Sequence, residues 1–360
     1  MDYETLANCF TGVFEHYKTQ ETEIFVIHDL QNDLPKFISF LQENINNKEW
    51  HISYNGLAFD AQVTHYILDN YFLWKDLEGC EVAAIIYKYA QRCITKSNNK
   101  EFSDYPAWKM KMGQIDIFKM HHWDNAAKRS SLKWIQYSMD WQNIIDMPIH
   151  HETLIHTQAE IDTILEYCVN DVKSTKEIYN RSHSQVKLRK ELTKEYDINL
   201  YSASEPRISK EIFGYFLTKK LGIPKRDLKQ MRTYRETIKV SDIILPYISF
   251  TSLEFNVLLD RFKSLEVNAY NLKGSFKYAI EYKNVKTHFG LGGVHGAANK
   301  GVYEPNNDMI IMSSDVTSFY PNLAIKNQWS PGHFPKEEFC DQYEWFFEER
   351  KKIPKSNPMN

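Results

Sequence analysis

The chain has few of the features that mark secreted or membrane proteins. Its five cysteines are scattered without a CxxC pair, which argues against a disulfide framework or a zinc site and favours a reducing compartment. No apolar run approaches the roughly 20 residues that span a bilayer, and no signal peptide is visible. Internal repeats and low-complexity tracts are also absent. We therefore expect a cytoplasmic globular protein with no membrane partner.

Charge of one sign is lacking as well, since the net charge is only −3 over 360 residues. The distribution is more informative, because residues 181–240 hold 15 lysines and arginines against 7 acids. A basic middle between acidic flanks fits a surface that contacts phosphate, and a solvated helical surface explains this stretch equally well. The length predicts two or three domains.

The pattern of apolar residues predicts an α/β layer domain with a mixed central sheet in the first half of the chain. Strands are expected at residues 9–17, 23–28, 51–54 and 114–118, and helices at 33–43, 59–71, 131–138 and 158–179. Further on, a helix is expected at 250–265 and strands within 266–312. The apolar run 309–312 is typical of a buried central strand. A last helix is expected at 339–352, with its inward side formed by Phe339, Tyr343, Phe346 and Phe347.

Four carboxylates and a tyrosine have the order and spacing of a two-metal nuclease. Asp2 and Glu4 alternate along a strand and so share a face, while Tyr167 and Asp171 are one helical turn apart. Asp60 begins a helix after a strand and a turn. Hydrolysis of a phosphodiester uses two metals about 4 Å apart, and Mg²⁺ prefers carboxylate ligands. The hydroxyl of Tyr167 could orient the attacking water.

Each element of this pattern also has an ordinary explanation when it is taken alone. A pair such as Asp2 and Glu4 is usually just solvated. The segment from Asn55 to Asp60 could be a turn with a helix cap, and Tyr167 could be a packed tyrosine beside an exposed acid. Their occurrence together, in order, favours the nuclease.

Three boxes resemble a known family: Asp2-Tyr3-Glu4-Thr5, Asn55-Gly56-Leu57-Ala58-Phe59-Asp60 and Tyr167-Cys168-Val169-Asn170-Asp171. Residues 1–180 resemble the DEDDy-type 3′–5′ exonuclease domain at the front of family B DNA polymerases. The resemblance implies a ribonuclease H-like fold and a proofreading activity that removes 3′-terminal nucleotides during DNA replication.

The resemblance also assigns roles to individual residues. Two Mg²⁺ or Mn²⁺ ions would be bound, directly or through water, by Asp2, Glu4, Asp60 and Asp171, and Tyr167 would position the attacking water. The frayed primer end would be contacted by Thr5, Asn55 and Phe59. Stacking on Phe59 suits an unpaired base of any sequence.

A second box, Asp315-Val316-Thr317-Ser318-Phe319-Tyr320-Pro321, resembles motif A of family B polymerases, although alone it could be a capped strand–helix junction. The resemblance makes Asp315 a catalytic metal ligand, lets Val316 offer its carbonyl, and makes Tyr320 the gate against a ribose hydroxyl. Ser318 opens a helix whose N–H groups would receive phosphate.

Two further segments fit the same comparison. Gly292 and Gly293 belong to a glycine-rich segment that resembles the template-contacting segment of phage-type members, where backbone approaches the template closely. Arg350 and Lys352 could contact the incoming triphosphate, and an exposed basic helix end is an equally good interpretation.

The fingers motif Lys-x3-Asn-Ser-x-Tyr-Gly and the Asp-Thr-Asp motif are missing, so we expect no polymerisation by this chain alone. We expect an N-terminal fragment of a phage-type polymerase, cut at both ends. It would comprise an exonuclease domain (1–185), a linking region (186–285) and a partial α+β palm with the start of the fingers (286–360).

The expected partners are DNA primer–template and single-stranded 3′ ends, with a deoxynucleoside triphosphate in the full-length enzyme. Replisome partners are not identified by the sequence, and a viral protein would act in the host cytoplasm. Alternatives are a stand-alone 3′–5′ exonuclease and a non-catalytic nucleic-acid-binding scaffold.

Overall fold

The computed structural model describes residues 1–121, 130–268, 277–290 and 293–354. The chain forms two compact units, one of Met1–Phe216 with Glu349–Asn360 and one of Leu217–Glu348. Both contain helices and strands, so the protein is mixed α/β. The assignment of exonuclease, linking and palm roles to three segments stays a prediction.

In the described part of the first unit, the strands form two sheets. Four antiparallel strands lie in chain order: β1 (Asp2–Thr5), β2 (Phe10–Glu15), β3 (Thr22–His28) and β4 (Gln31–Asn32). A parallel pair is formed by β5 (Trp50–Ser53) and β6 (Gly113–Asp116). The Met1 amino group donates a 2.9 Å hydrogen bond to the carbonyl of Ile52, which brings β5 beside β1. Although β5 lies beside β1, no hydrogen-bonded ladder pairs these two strands in the described residues. Two sheets are therefore present where the sequence predicted a single mixed sheet.

The helices of the first unit are α1 (Leu34–Asn46), α2 (Asp60–Asn70), α3 (Gly79–Asn98), α4 (Ile117–His121), α5 (Leu132–Ser138), α6 (Gln158–Arg181), α7 (His183–Tyr196) and α8 (Glu205–Leu221). The helices predicted at 33–43, 59–71, 131–138 and 158–179 are confirmed to within a few residues. Helix α3 was not predicted, although Glu78 and Glu81 form a capping box at its start.

The four-stranded sheet has a different covering on each face. On one face, Tyr3, Phe10 and Phe14 pack with Phe37 of α1, with ring centroids 5.1–6.1 Å apart, and α3 closes this core. On the other face, Val13 of β2 packs against α6. Because side chains alternate along β1, the residues flanking Tyr3 point toward α6.

The described residues of the second unit form two small antiparallel sheets. One pairs β7 (Thr237–Lys239) with β8 (Glu266–Asn268), and the other orders β9 (Lys277–Tyr282), β10 (Val285–Gly290) and β11 (Gly293–Ala298) as a meander. The remaining helices are α9 (Lys225–Gln230), α10 (Leu253–Lys263), α11 (Phe319–Lys326) and α12 (Lys336–Lys351). The predicted helix at 250–265 is confirmed by α10.

One prediction for this region is wrong and another is confirmed only in part. The run 309–312 is not a strand, and its four side chains are exposed, because no neighbouring strand pairs with it among the described residues. In α12, Phe347 is buried but Phe339, Tyr343 and Phe346 are only half-buried.

Across the described ranges, no helix combines the length and the apolar character needed to cross a membrane.

Candidate active site

Asp2 and Glu4 project from β1 toward α6, where they meet a thiol. The Cys168 thiol lies 3.4 Å from the Asp2 carbonyl and 4.0 Å from its Oδ2. One ligand atom each from Asp2, Glu4 and Cys168 fall within 4.8 Å of one another. The two-residue alternation predicted from the sequence therefore produces a cluster of potential metal ligands.

Asp60 is fixed to the same strand from the start of α2. The backbone N–H of Tyr3 donates a 3.1 Å hydrogen bond to Asp60 Oδ1, at the position between Asp2 and Glu4. The hydroxyl of Thr64 donates to the Asp60 carbonyl at 2.8 Å and shares a 2.8 Å hydrogen bond with the hydroxyl of Tyr3. These bonds hold the buried Asp60 carboxylate against β1.

Asp171 is held by two side chains of α5 that the sequence analysis did not identify. Its Oδ1 accepts hydrogen bonds from Lys133 Nζ at 2.7 Å and from Gln136 Nε2 at 2.9 Å. The Lys133 ammonium also lies 4.3 Å from the centre of the Tyr167 ring. Lys133 and Gln136 are three residues apart on a helix, so they share a face. That spacing was visible in the sequence, but nothing local indicated that this face meets Asp171.

The pKa values of Asp2, Glu4 and Asp60 are raised, and neighbouring carboxylates contribute to the rise for Asp2 and Glu4. Burial, with the charges of Asp171 and Asp60, raises the pKa of Glu4 to about 8. Burial, with the charges of Glu4 and Asp60, raises the pKa of Asp2 well above its usual range. The pKa of Asp60 rises to about 7, mainly because its carboxyl group is buried. Full ionisation of this cluster therefore needs additional positive charge nearby.

The donor set fits divalent cations with oxygen ligands. Among the described residues, no hydrogen-bond donor pairs with the Glu4 carboxylate, and Asp2 has only the thiol of Cys168 beside its Oδ2. Half-buried carboxylates with so few hydrogen-bond donors around them are suited to Mg²⁺ or Mn²⁺. The Cys168 thiol is the exception, since sulfur favours softer ions.

Asp116 was also missed, although it holds the loop that leads to Asp60. This buried side chain ends β6 and accepts hydrogen bonds from the backbone N–H groups of Asn55 at 2.9 Å and Leu57 at 3.1 Å. Asn55 has a left-handed φ of 64°. A Cβ on Gly56 would lie 1.9 Å from Ser53 Oγ, so this turn requires glycine. The sequence feature that could have identified Asp116 is an acidic residue at the carboxyl end of a strand.

The proposed contacts to the primer end lie around this cluster. Thr5 is buried at the end of β1, and Asn55 is half-buried in the loop before α2. Phe59 is half-buried and packs against the large aromatic core. Their contact with a DNA end stays a prediction.

The second acid box is not assembled as the sequence predicted. Asp315 and Val316 are exposed in irregular chain, not at the end of a buried strand. No group of metal-ligating side chains includes Asp315 in the part of the chain that the structure describes. The reason is the absence of a strand at 309–312, which would have placed the acid at a sheet edge.

The other predicted polymerase residues have simple surroundings. Ser318, with a φ of 49°, is the residue before α11, and Tyr320 is exposed in its first turn. Gly293 begins β11 with a φ of 141°, whereas Gly292 lies outside the described residues. At the end of α12, Arg350 and Lys352 are exposed, and Lys352 pairs with Glu349 at 2.6 Å.

No family model, curated protein or solved structure matches this chain.

Proposed function

We propose that this chain is a metal-dependent 3′–5′ exonuclease that acts on DNA, and that it is the N-terminal part of a family B DNA polymerase. The observation that carries the proposal is that Asp60 of α2 and Asp171 of α6 lie close enough to Asp2 and Glu4 of β1 for their charges to raise the pKa values of both. The antiparallel strands beside a parallel pair, with helices on both faces, support a ribonuclease H-like exonuclease fold.

The chain's own residues divide the chemical work. Two divalent cations bound by the acids would supply an activated water and a stabilised leaving oxygen. Lys133 offsets the charge of Asp171 and fixes its orientation through the 2.7 Å bond. Burial and the nearby acids raise the pKa of Tyr167, so its hydroxyl keeps its proton and can donate a hydrogen bond to the attacking water.

Polymerisation is not part of the proposal for this chain. Asp315 belongs to no group of three or more potential metal ligands among the described residues, and the two later polymerase motifs are absent from the sequence. A deoxynucleoside triphosphate would be bound only by a longer enzyme.

The test is trimming of a 5′-labelled single-stranded DNA in Mg²⁺ or Mn²⁺. We expect stepwise loss of 3′ nucleotides, abolished by a chelator and by the double variant Asp60→Asn plus Asp171→Asn. Asp76→Asn, which changes an exposed acid, is the matched control and should trim normally. Trimming that persists in the double variant would refute the proposal, and the absence of any trimming with no divalent-metal binding would favour a non-catalytic scaffold.

A further inference from the structure

The side chain of Gln136 on α5 is fully buried, and its amide nitrogen makes two hydrogen bonds. Nε2 donates to Asp171 Oδ1 at 2.9 Å and to the hydroxyl oxygen of Ser174 at 2.7 Å. The Ser174 hydroxyl in turn donates to the backbone carbonyl of Asp171 at 3.0 Å. Gln136 therefore contacts the carboxylate directly and, through Ser174, the turn of α6 that carries it.

The amide oxygen of the same side chain has no hydrogen-bond partner. Oε1 is buried, and no donor reaches it in the part of the chain that the structure describes. Most buried polar groups in proteins are paired, because an unpaired acceptor lowers the stability of the fold. Turning the amide round would not remove this cost, since Oε1 would then face the ionised Asp171 carboxylate, which only accepts hydrogen bonds. The orientation of the Gln136 amide is therefore set by Asp171.

Lys133 and Gln136 act on the same carboxylate oxygen in different ways. Lys133 Nζ donates to Asp171 Oδ1 at 2.7 Å and brings a positive charge on a side chain that is 23% exposed. Gln136 is neutral and fully buried, so it adds direction without adding charge. A carboxylate oxygen has about two lone-pair positions, and these two donors occupy them on Oδ1. Cation binding by Asp171 therefore falls to Oδ2.

We propose that Gln136 is a positioning residue of the metal site, which holds the Asp171 carboxylate so that Oδ2 is presented to a divalent cation. This role rests on the proposed function, because it concerns the same cluster of acids. The helix that carries Gln136 is itself fixed, since Leu132 and Ile135 pack into a core with Ile178 of α6. Partners that orient a metal ligand typically change metal affinity or activity about 10–100-fold when they are removed.

The variant Gln136→Met tests this role, because methionine is also long and unbranched but lacks both the amide donors and the unpaired oxygen. We expect Mn²⁺ affinity, measured by electron paramagnetic resonance of the free ion, to fall about tenfold or more. The urea midpoint should change little, because removal of a buried unpaired acceptor offsets the lost hydrogen bonds. Gln158→Met, which removes an exposed amide with a 2.9 Å hydrogen bond to Asp162, is the matched control and should bind Mn²⁺ normally.

The variant Ser174→Ala gives a second test that does not depend on how well methionine fits. It removes the hydroxyl that receives the other amide N–H of Gln136, so Mn²⁺ affinity should fall in the same direction by a smaller factor. Combining the two changes should add little to the loss in Gln136→Met, because Ser174 acts mainly through Gln136. Unchanged Mn²⁺ affinity in both single variants would overturn the positioning role.

The positioning role and the proposed nuclease activity can fail separately. In trimming assays, excess Mn²⁺ should restore most of the rate of Gln136→Met with KM for DNA unchanged, whereas Asp171→Asn should not recover. Mn²⁺ binding that depends on Gln136 supports the role even if no variant trims DNA. Trimming that depends on Asp171 but is as fast in Gln136→Met as in the wild type at limiting Mn²⁺ overturns the role and leaves the nuclease intact. A large fall in the urea midpoint of Gln136→Met, with no recovery in excess Mn²⁺, would make the side chain a purely structural one.

Discussion

In the metal-free protein, Glu4→Gln is expected to remove a large part of the pH dependence of stability. Burial, together with Asp171 and Asp60, raises the pKa of Glu4 from 4.5 to about 8. The folded protein therefore keeps a proton that the unfolded chain releases as pH rises above about 4.5. Because the pKa is raised, the fold is more stable below about pH 4.5 and loses stability as the pH rises from about 4.5 to about 8.

The magnitude follows from the size of the shift. Between about pH 4.5 and about pH 8, each pH unit lowers the free energy of unfolding by about 1.4 kcal/mol for this one group. Between about pH 5.5 and about pH 7.5, Glu4 alone accounts for a loss of about 3 kcal/mol. Glutamine cannot ionise, so Glu4→Gln removes this contribution and also relieves the repulsion that acts on Asp2.

The assay is urea unfolding at both pH values in a chelating buffer. We expect the wild-type protein to lose stability toward the higher pH more steeply than Glu4→Gln, and Mg²⁺ to restore the wild type more at the higher pH. Glu43→Gln, which changes an exposed acid of α1, should behave as the wild type. If Glu4→Gln loses stability with pH as steeply as the wild-type protein, Glu4 is not the group that retains a proton in the folded state.

Three other predictions test the surroundings of the acids. Asp116→Asn replaces the anion that accepts the backbone N–H groups of Asn55, Leu57 and Lys119, so denaturation should show a loss of about 2 kcal/mol with reduced trimming. An equal effect of Asp76→Asn would contradict this. Gly56→Ala should lower the melting temperature through a clash costing about 1–3 kcal/mol. The added change Ser53→Gly should recover part of that loss, and no recovery would show that the clash is not the cause. Cys168→Ser should weaken cadmium binding, measured by calorimetry, about tenfold or more, because sulfur favours soft ions. Mg²⁺-dependent trimming should persist in this variant. Equal cadmium affinity in the variant and the wild-type protein would exclude the thiol as a ligand.

Local patterns in the sequence were sufficient for the elements that carry the predicted acids. The helical period of α6 and the alternation of β1 follow from neighbouring residues, so Tyr167 and Asp171, and likewise Asp2 and Glu4, could be paired in advance. These pairs meet because α6 packs on the same face of the sheet.

The supporting residues could not be found in this way, because their contacts join distant parts of the chain. Lys133 and Asp171 are 38 residues apart, and Asn55 and Asp116 are 61 apart. No periodicity within either segment encodes such a contact. The error at 309–312 has a related cause: an apolar run becomes a buried strand only where another strand pairs with it, and the run itself does not specify a partner.

The central claim is that the four acids together bind divalent cations. Titration with Mn²⁺, followed by electron paramagnetic resonance of the free ion, measures this directly in the intact chain. We expect two bound ions per chain in the wild-type protein and a loss of both in Asp60→Asn plus Asp171→Asn. Wild-type protein that binds no Mn²⁺, or a double variant that binds it as well as the wild type, would contradict it.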